Sequence, residues 1–255
     1  MLAVERIAAI EKALDSRESV TVAGLSRMFD VTEETIRRDL EKIMARDSSV
    51  MRVHGGAYRQ KPFDHEAPYH LRETLLVDEK ERMARRSCEV LERSDTIMLD
   101  SSTTALYVAK HLKELELGLT VITNSLRIAM ELSECTATTL VLIGGLYRQA
   151  SMSFVGYAAT EALGQMHADK ALVSCSGLHE RFGLTDNNEG EAQIRRLMLR
   201  NAHRRFLLVD SDKFGRCKNY HIADMDGIES LFTNETPAEG IRSLLSAGGV
   251  SLKVC

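Results

Sequence analysis

The stretch Thr32–Leu40, TEETIRRDL, decides how the first part of this chain folds. Thr32 is a favoured helix N-cap, and Glu33 and Glu34 follow where the positive end of the helix dipole favours acids. Ile36, Leu40 and Ile43 recur at i, i+4 and i+7, the apolar stripe of a helix. At about 100° per residue, Glu34 and Arg38 fall nearly opposite that stripe, and Thr35 and Arg37 flank it. The segment therefore docks by one face and turns Thr35, Arg37 and Arg38 outward. Arginine offers a fork that fits a guanine edge or a charge that meets phosphate. Asp39 would be repelled by phosphate, so an internal salt bridge, or the orienting of an arginine, is its expected part.

Upstream, Val4 to Leu14 carries Ile7, Ile10 and Leu14 at helical spacing, and Asp15-Ser16-Arg17 ends the pattern. Thr21 then caps a second helix to Phe29, with Leu25, Met28 and Phe29 expected inward, and Asp30-Val31 makes a turn. Two helices leading into an arginine-bearing third is the layout of a helix-turn-helix DNA reader. Downstream, Val50–Arg59 (VMRVHGGAYR) has strand character ending in Gly55-Gly56. It reads as a wing, with Arg52 and His54 placed for phosphate or the minor groove. Residues 1–60 hold equal numbers of Lys/Arg and Asp/Glu. The reading thus rests on where the arginines point and not on a basic excess.

At 255 residues the chain can hold a small domain and one of ordinary size. It is 44% hydrophobic and 27% charged with only three prolines, which excludes a long disordered stretch. No run approaches the length of a membrane span, and Glu5 and Arg6 interrupt any secretory signal, so no membrane partner and a cytoplasmic location are expected. Cys88, Cys135, Cys175, Cys217 and Cys255 are scattered and odd in number. That argues for reduced thiols and against a disulfide framework or a structural metal site. No cofactor is implied. Cys217, between Arg216 and Lys218, is the thiol whose neighbourhood would suit redox sensing.

Tyr58 to Tyr69 mixes Pro62 and Pro68 with polar residues and reads as a linker. The expected organisation is a DNA-binding domain at 1–58, a linker at 59–71 and a larger domain at 72–255 that opens with a helix over Leu71–Leu91. In that larger domain, strand-like runs recur at Thr96–Asp100, Leu119–Asn124, Thr139–Gly145, Lys170–Gly177, Arg205–Asp210, Ile228–Asn234 and Val250–Val254. Helical patterns fall between several of them, at Thr104–Leu115, Leu126–Ser133, Glu189–Ala202 and Pro237–Ala247. Short apolar strands alternating with amphipathic helices imply a mainly parallel, Rossmann-like α/β sheet, which binds ligands beyond its carboxyl edge.

Small polar residues gather at those strand ends. Asp100, Ser101, Ser102, Thr103 and Thr104 follow the first run and open a helix, a natural seat for phosphate. Asn124 ends the second run and Gly145 the third. Asp210 could accept sugar hydroxyls, Lys213 could neutralise a phosphate, and Glu191 is a further polar candidate at a helix start. A hydroxyl after a strand is more often an N-cap than a ligand contact. What carries the reading is convergence on one edge of one sheet.

Arg6, Ile10 and Leu14, then Thr32, Thr35, Ile36, Arg37, Arg38, Asp39 and Leu40, then Arg52-Val53-His54-Gly55-Gly56-Ala57, resemble the DeoR family of bacterial transcriptional regulators. The runs DSSTT, VITNS, IGG and SFVG, the stretch Gly183–Glu191 and the run LLVDSDKFG resemble the sugar-phosphate-sensing domain of the same family, so the likeness spans nearly the whole chain. It departs at Asp47-Ser48-Ser49 and at Ser102, where the family commonly has glycine, and at Asp212, where serine is common. The resemblance implies a winged helix-turn-helix followed by a domain similar in fold to ribose-5-phosphate isomerase and the CoA-transferase group. It also implies double-stranded operator DNA and a phosphorylated sugar or related metabolite as partners. A repressor of a carbohydrate-use operon, assembled as a dimer or tetramer, is the expected function. The alternative is a sugar-phosphate isomerase or CoA-transferase-like enzyme with a DNA-binding appendage, but no nucleophile–base constellation is visible, and no catalytic residue is expected.

Overall fold

A computed structural model of the protein describes residues 1–60 and 67–255. The residues expected to form much of the linker, 61–66, lie outside the described ones. The chain divides into two compact units, Met1–Val77 and Asp78–Cys255.

The first unit runs α1 (Ala3–Arg17), β1 (Ser19–Thr21), α2 (Val22–Phe29), α3 (Glu33–Met44), β2 (Val50–Val53), β3 (Gly56–Arg59) and α4 (Tyr69–Thr74). Ile7, Ile10, Leu14, Leu25, Ile36, Leu40 and Ile43 close its core, the same apolar stripes that define the three helices in sequence. The strands form an antiparallel sheet in the order β1-β3-β2. Strand β1 has no signature of its own. Three residues are too few to show alternation, and they are extended because β3 supplies the ladder, Ser19 opposite Tyr58 and Thr21 opposite Gly56. Thr21 ends the strand and caps α2, its hydroxyl accepting from Gly24 N at 3.0 Å. Gly55 turns β2 into β3 with φ +77°, a conformation that favours glycine.

Two expectations are corrected here. Met28 is not inward but 54% exposed, and it lines a groove of about 290 Å³ together with Arg17, His70 and Leu71. The helix expected over Leu71–Leu91 is two helices. It breaks at Leu75, which is extended, and Leu76, whose φ is +50°. Leu71 in α4 is buried, and it lies against Gly56 of β3. With α4 packed there, the first compact unit extends to Val77. The apolar periodicity carries across the break because each piece packs an apolar face, so the pattern alone did not reveal it.

The second unit opens with α5 (Val77–Cys88), β4 (Thr96–Leu99), α6 (Thr103–Leu112), β5 (Thr120–Thr123), α7 (Leu126–Leu132) and β6 (Thr139–Leu142). A hairpin of β7 (Leu146–Arg148) and β8 (Ser153–Val155) leads into α8 (Tyr157–Gly164) and β9 (Ala168–Val173). Then come β10 (Gly177–His179), β11 (Gly183–Asp186), α9 (Glu189–Arg200), β12 (Ala202–Leu208), a 3-10 turn at Ser211–Lys213, and β13 (Tyr220–Ala223). The chain finishes with β14 (Ser230–Thr233), α10 (Glu239–Ala247) and β15 (Ser251–Val254).

The seven strand-like runs of the sequence supply the seven strands of one sheet, ordered β15-β14-β12-β9-β4-β5-β6. Every pairing in it is parallel. Central strands such as ALV in β9 and FLL in β12 are buried at every residue, as a sheet covered by helices on both faces requires. The order runs outward in opposite directions from β4 and β9. The sheet therefore has its switch point between those two strands, where open α/β sheets form a crevice beyond the carboxyl ends. The fold is thus an N-terminal winged helix-turn-helix and a C-terminal parallel α/β unit. Beside the main sheet lie two small antiparallel pieces, β7-β8 and β10-β11-β13.

Candidate DNA interface and effector site

In the first unit, Thr32 caps α3, its hydroxyl accepting from Thr35 N at 3.3 Å and meeting the Thr35 hydroxyl at 2.9 Å. That fixes the start of the helix and the register of everything after it. Arg37 donates to Glu33 at 2.6 Å and Arg38 to Glu34 at 3.2 Å, each to the acid one turn earlier. Arg52 in β2 donates to Glu41 of α3 at 3.4 Å, and His54 is exposed in the turn after β2. The side chains of Arg37, Arg38 and Arg52 are 41%, 72% and 58% exposed. Ion pairs this exposed contribute about 0–1 kcal/mol, so an incoming phosphate or guanine can take the guanidinium at little cost. Asp39 points the other way. It is buried and accepts from Arg6 Nε at 2.6 Å, locking α3 to α1.

The approach to the wing lacks the glycine common in the resembling family, and an aspartate turn replaces it. One Asp47 oxygen accepts from Ser49 N at 2.9 Å and from the Ser49 hydroxyl at 2.7 Å, and the other accepts from Arg59 at 2.6 Å. Arg59 also pairs with Asp15 at 2.8 Å, joining the end of α1 to β3. The Ser49 hydroxyl, then Arg59 and the Ser49 amide, lower the Asp47 carboxyl to about 2.

In the second unit the switch point is filled by charge. Asp100, just after β4, is fully buried. One of its oxygens accepts from the Ser102 hydroxyl at 2.7 Å, and the other accepts from Ser174 N at 3.2 Å and Arg195 Nε at 2.6 Å. Arg195, on the inner face of α9, also donates to Asp186 at the end of β11. Burial alone would lower the basicity of Arg195, but Asp186, Asp100 and Glu191 raise it well above its ordinary value. Lys213 donates to Asp210 at 3.0 Å and to the Ser174 hydroxyl at 2.9 Å. Burial would raise the Asp210 carboxyl, but Lys213, with help from Lys80, holds it below its usual range.

Glu191 gathers three hydroxyls. It accepts from Ser101 at 2.7 Å, from Ser151 at 2.6 Å and from Ser153. Burial pushes this carboxyl up, but Arg195 and the three serines outweigh it, and it is held below its ordinary value. Asn188 caps α9 by accepting from Glu191 N at 3.2 Å, which fixes where the carboxylate sits.

The structure thus brings Asp100, Ser102, Asp210 and Lys213 together through Ser174 and Arg195, while Ser101 joins Glu191 in a neighbouring cluster of serine hydroxyls whose carboxylate acts electrostatically on Arg195. Thr103 and Thr104 start α6 beside it, where the first N–H groups have no acceptor within the helix. The Thr104 hydroxyl is buried with no hydrogen-bond partner among the described residues. Asn124 donates to Phe154 O at 3.0 Å, and its own side-chain oxygen is likewise buried and unmatched. Gly145 stands apart, with φ +158°, and a side chain there would meet Val155 O at 2.7 Å. It lets the chain pass close to β8.

Sequence reading missed Arg195, Ser174, Ser151 and Ser153. Arg195 had a signal: an arginine four residues after Glu191, in line with the buried Ile194 and Met198 of α9. Ser151 and Ser153 are spaced by two, as same-face strand residues are. Cys175 is buried behind Ser174, and burial pushes its thiol up to about 12. Cys217 is exposed, its sulfur 3.7 Å from the Lys218 carbonyl. Among the described residues no helix is long and apolar enough to cross a membrane.

Two family models match the chain. The DeoR-like helix-turn-helix domain covers residues 6–63 and the DeoR C-terminal sensor domain covers residues 76–235. The HTH-type transcriptional regulator YulB of Bacillus subtilis is 38% identical over 92% of this chain and 90% of its own. The glycerol-3-phosphate regulon repressor of Escherichia coli is 28% identical over 92% of each chain. Among solved structures, ribose 5-phosphate isomerase A from Methanocaldococcus jannaschii aligns with 55% of each chain at 19% identity, with a TM-score of 0.41.

Proposed function

The chain belongs to the DeoR family of transcriptional regulators, and on that premise we propose that it represses a carbohydrate-use operon under the control of a phosphorylated sugar or related metabolite. The family and its members are regulators and not enzymes, so the isomerase and transferase alternative falls away. In this reading Thr32, Thr35, Arg37, Arg38, Arg52 and His54 meet double-stranded operator DNA in the cytoplasm. The exposed, weakly paired arginines support it, because phosphate replaces a glutamate in high dielectric at small cost.

The observation that carries the effector half is the composition of the switch-point network. It combines cations, carboxylates and hydroxyls from the loops after β4, β9 and β12 and from the inner face of α9. A sugar phosphate carries the matching set, an anion for Lys213 and the start of α6 and hydroxyls for Asp100, Glu191 and Asp210. Each cation is already held by a carboxylate, so the ligand's phosphate binds by exchange: Lys213 leaves Asp210, and the freed carboxylate accepts a sugar hydroxyl. The unmatched oxygens of Thr104 and Asn124 give an occupant two more sites to satisfy. A relative named for a glycerol-3-phosphate regulon supports a small phosphorylated polyol as the class. One small winged head makes few base contacts, so two or more copies reading repeated half-sites complete the reading.

The deciding experiment measures binding to the chain's own upstream DNA against a panel of pentose, hexose and triose phosphates at fixed salt. A phosphorylated sugar should change operator affinity at least tenfold, and its unphosphorylated form should not. No response to any phosphorylated compound would remove the effector reading.

A further inference from the structure

Besides Lys213, a second half-buried cation bonds to the hydroxyls of the crevice: Arg148, on the hairpin β7–β8. In the register of that hairpin Arg148 lies opposite Ser153, and residues paired across two strands share a face. Ser153 is fully buried and donates to Glu191, so Arg148 is on the side that faces Glu191. Its guanidinium donates to the Ser151 hydroxyl at 2.9 Å, and Ser151 donates in turn to Glu191 at 2.6 Å. A path of contacts thus joins the two cations. Lys213 donates to the Ser174 hydroxyl, Ser174 N donates to Asp100, the next residue Ser101 donates to Glu191, and Glu191 leads through Ser151 to Arg148. The order of the strands agrees with that path. Lys213 follows β12, Ser174 follows β9, Asp100 and Ser101 follow β4, and the hairpin is fastened to the end of β5, where Phe154 N donates to Asn124 O at 2.8 Å. These four strands are consecutive in the sheet. At about 4.8 Å per strand, the loops at the two ends stand roughly 14 Å apart before their side chains reach inward.

We propose that the crevice takes a phosphorylated sugar bearing a second anionic group at its far end, a phosphate or a carboxylate, and that Arg148 holds this second group. The proposal rests on the effector reading above and narrows its ligand class. Carboxylates crowd the middle of the path, Asp100, Asp186 and Glu191, and they would repel a ligand's anion there. Anions therefore belong at the two ends, where the cations are, and sugar hydroxyls belong between them.

Two further observations favour Arg148 for this part. The cation that chiefly offsets the Glu191 charge is Arg195, which is buried between Asp100 and Asp186 and fixed there. Arg148 meets Glu191 only through a neutral hydroxyl, and a planar guanidinium makes a stronger, two-pronged bond to a phosphate or carboxylate than to a serine. The Arg148 end also holds an acceptor waiting for a donor. The Asn124 amide nitrogen donates to Phe154 O in β8 at 3.0 Å, while the Asn124 side-chain oxygen is buried and unmatched. A sugar hydroxyl beside the second anion would satisfy it. The seat is stiff as well: Leu126 N donates to Met152 O at 2.9 Å, so the turn of the hairpin is pinned to the start of α7. A preorganised seat loses little freedom when it is filled.

Isothermal titration calorimetry on the full chain without DNA tests it, with ligands in matched pairs: fructose bisphosphate, phosphorylated at both ends, against fructose monophosphate, and phosphogluconate against glucose phosphate. The wild-type chain should bind the doubly anionic member of one pair at least tenfold more tightly, as for one added charge-assisted contact. The pair that shows the preference tells phosphate from carboxylate as the second group. Arg148→Gln should abolish the preference while affinity for the singly anionic member stays within a few-fold of wild type. Arg148→Lys, which keeps the charge and loses the fork, should retain part of it. The proposal is overturned by a wild-type chain that binds both members of each pair alike, or by a Gln variant that keeps the preference. It is overturned equally by a Gln variant that loses affinity for all four ligands to the same degree, since Arg148 would then only fasten the hairpin. The wild-type comparison needs no variant, so it decides even where the Gln variant fails to fold. Binding of sugar monophosphates with no preference counts against this narrowing alone, whereas binding of none of the four overturns it together with the effector reading.

Discussion

Arg38 in α3 and Arg195 in α9 each donate to a carboxylate, but the first is 72% exposed and the second 7%. The geometry is similar and the energetics are opposite. Water screens the Arg38–Glu34 pair, so the protein loses almost nothing when the arginine turns to another anion. Arg195 has no such freedom. Removing it leaves Asp100 and Asp186 buried without a counter-charge, which costs far more than the pair contributes when intact. The arginines on the outer face of α3 stay loose and tradeable, whereas in the second unit a fixed cation, Arg195, is linked through Asp100 and Ser174 to a more exposed one, Lys213. The difference teaches where to look for function: at the charges that can change partners.

The largest effect that would test this contrast is Arg195→Met. It should cost about 3–5 kcal/mol in urea unfolding of the second unit. A loss under about 1 kcal/mol would place Arg195 with the exposed pairs and dissolve the comparison. Next come Arg37→Ala and Arg38→Ala. Each should weaken operator binding by about 1–3 kcal/mol if it meets a base. Each should change stability by less than about 0.5 kcal/mol. Unchanged affinity in both would remove α3 from the DNA. Lys213→Ala should leave ligand-free DNA binding within a few-fold of wild type while the response to sugar phosphate drops about tenfold or more, as for one lost charge-assisted contact. A wild-type response would misplace the anion seat.

The smallest effect is acid sensitivity at the wing. Asp47 titrates near 2 in the fold, against 3.8 unperturbed. A depressed carboxyl stabilises the fold above its unfolded value, and that contribution is lost as pH falls through the folded value. Thermal melts of wild type and Asp47→Asn should therefore differ at neutral pH and converge between about pH 4 and 2. The gap should narrow in salt because Asp47 is at the surface. Melts that stay parallel down to pH 2 would show that the aspartate turn does not hold the wing.

The sequence was readable where one physical demand dominates. The central strands of the main sheet carry buried apolar runs, ALV in β9 and FLL in β12, because both faces are covered there, and α3 shows itself by a cap, two acids and a stripe. Short elements were not readable. β1, β7, β8 and β10 have three residues each and exist because a neighbour completes their ladder. In the small sheet β10-β11-β13 the third strand, Tyr220–Ala223, joins the hairpin Gly177–Asp186 from beyond α9 and β12, and no local pattern announces that. At the site, Asp100, Asp210 and Lys213 stood out because they follow strands. Arg195 did not, because an arginine within a helix looks like a solvated face until the opposing carboxylates are known. Met28 misled for the reverse reason: an apolar residue at core spacing lines an open groove.

Cys175 lies directly after Ser174, whose hydroxyl receives the Lys213 ammonium, and its thiol is fully shielded with a pKa pushed to about 12. A buried, protonated thiol is unreactive, unlike the surface thiol of Cys217. The chain therefore carries its own chemical timer. The rate at which an alkylating reagent reaches Cys175, read by mass spectrometry against Cys217 as the fast internal standard, reports how often the strand ends part. A metabolite that bridges those loops would slow that clock before any promoter is added.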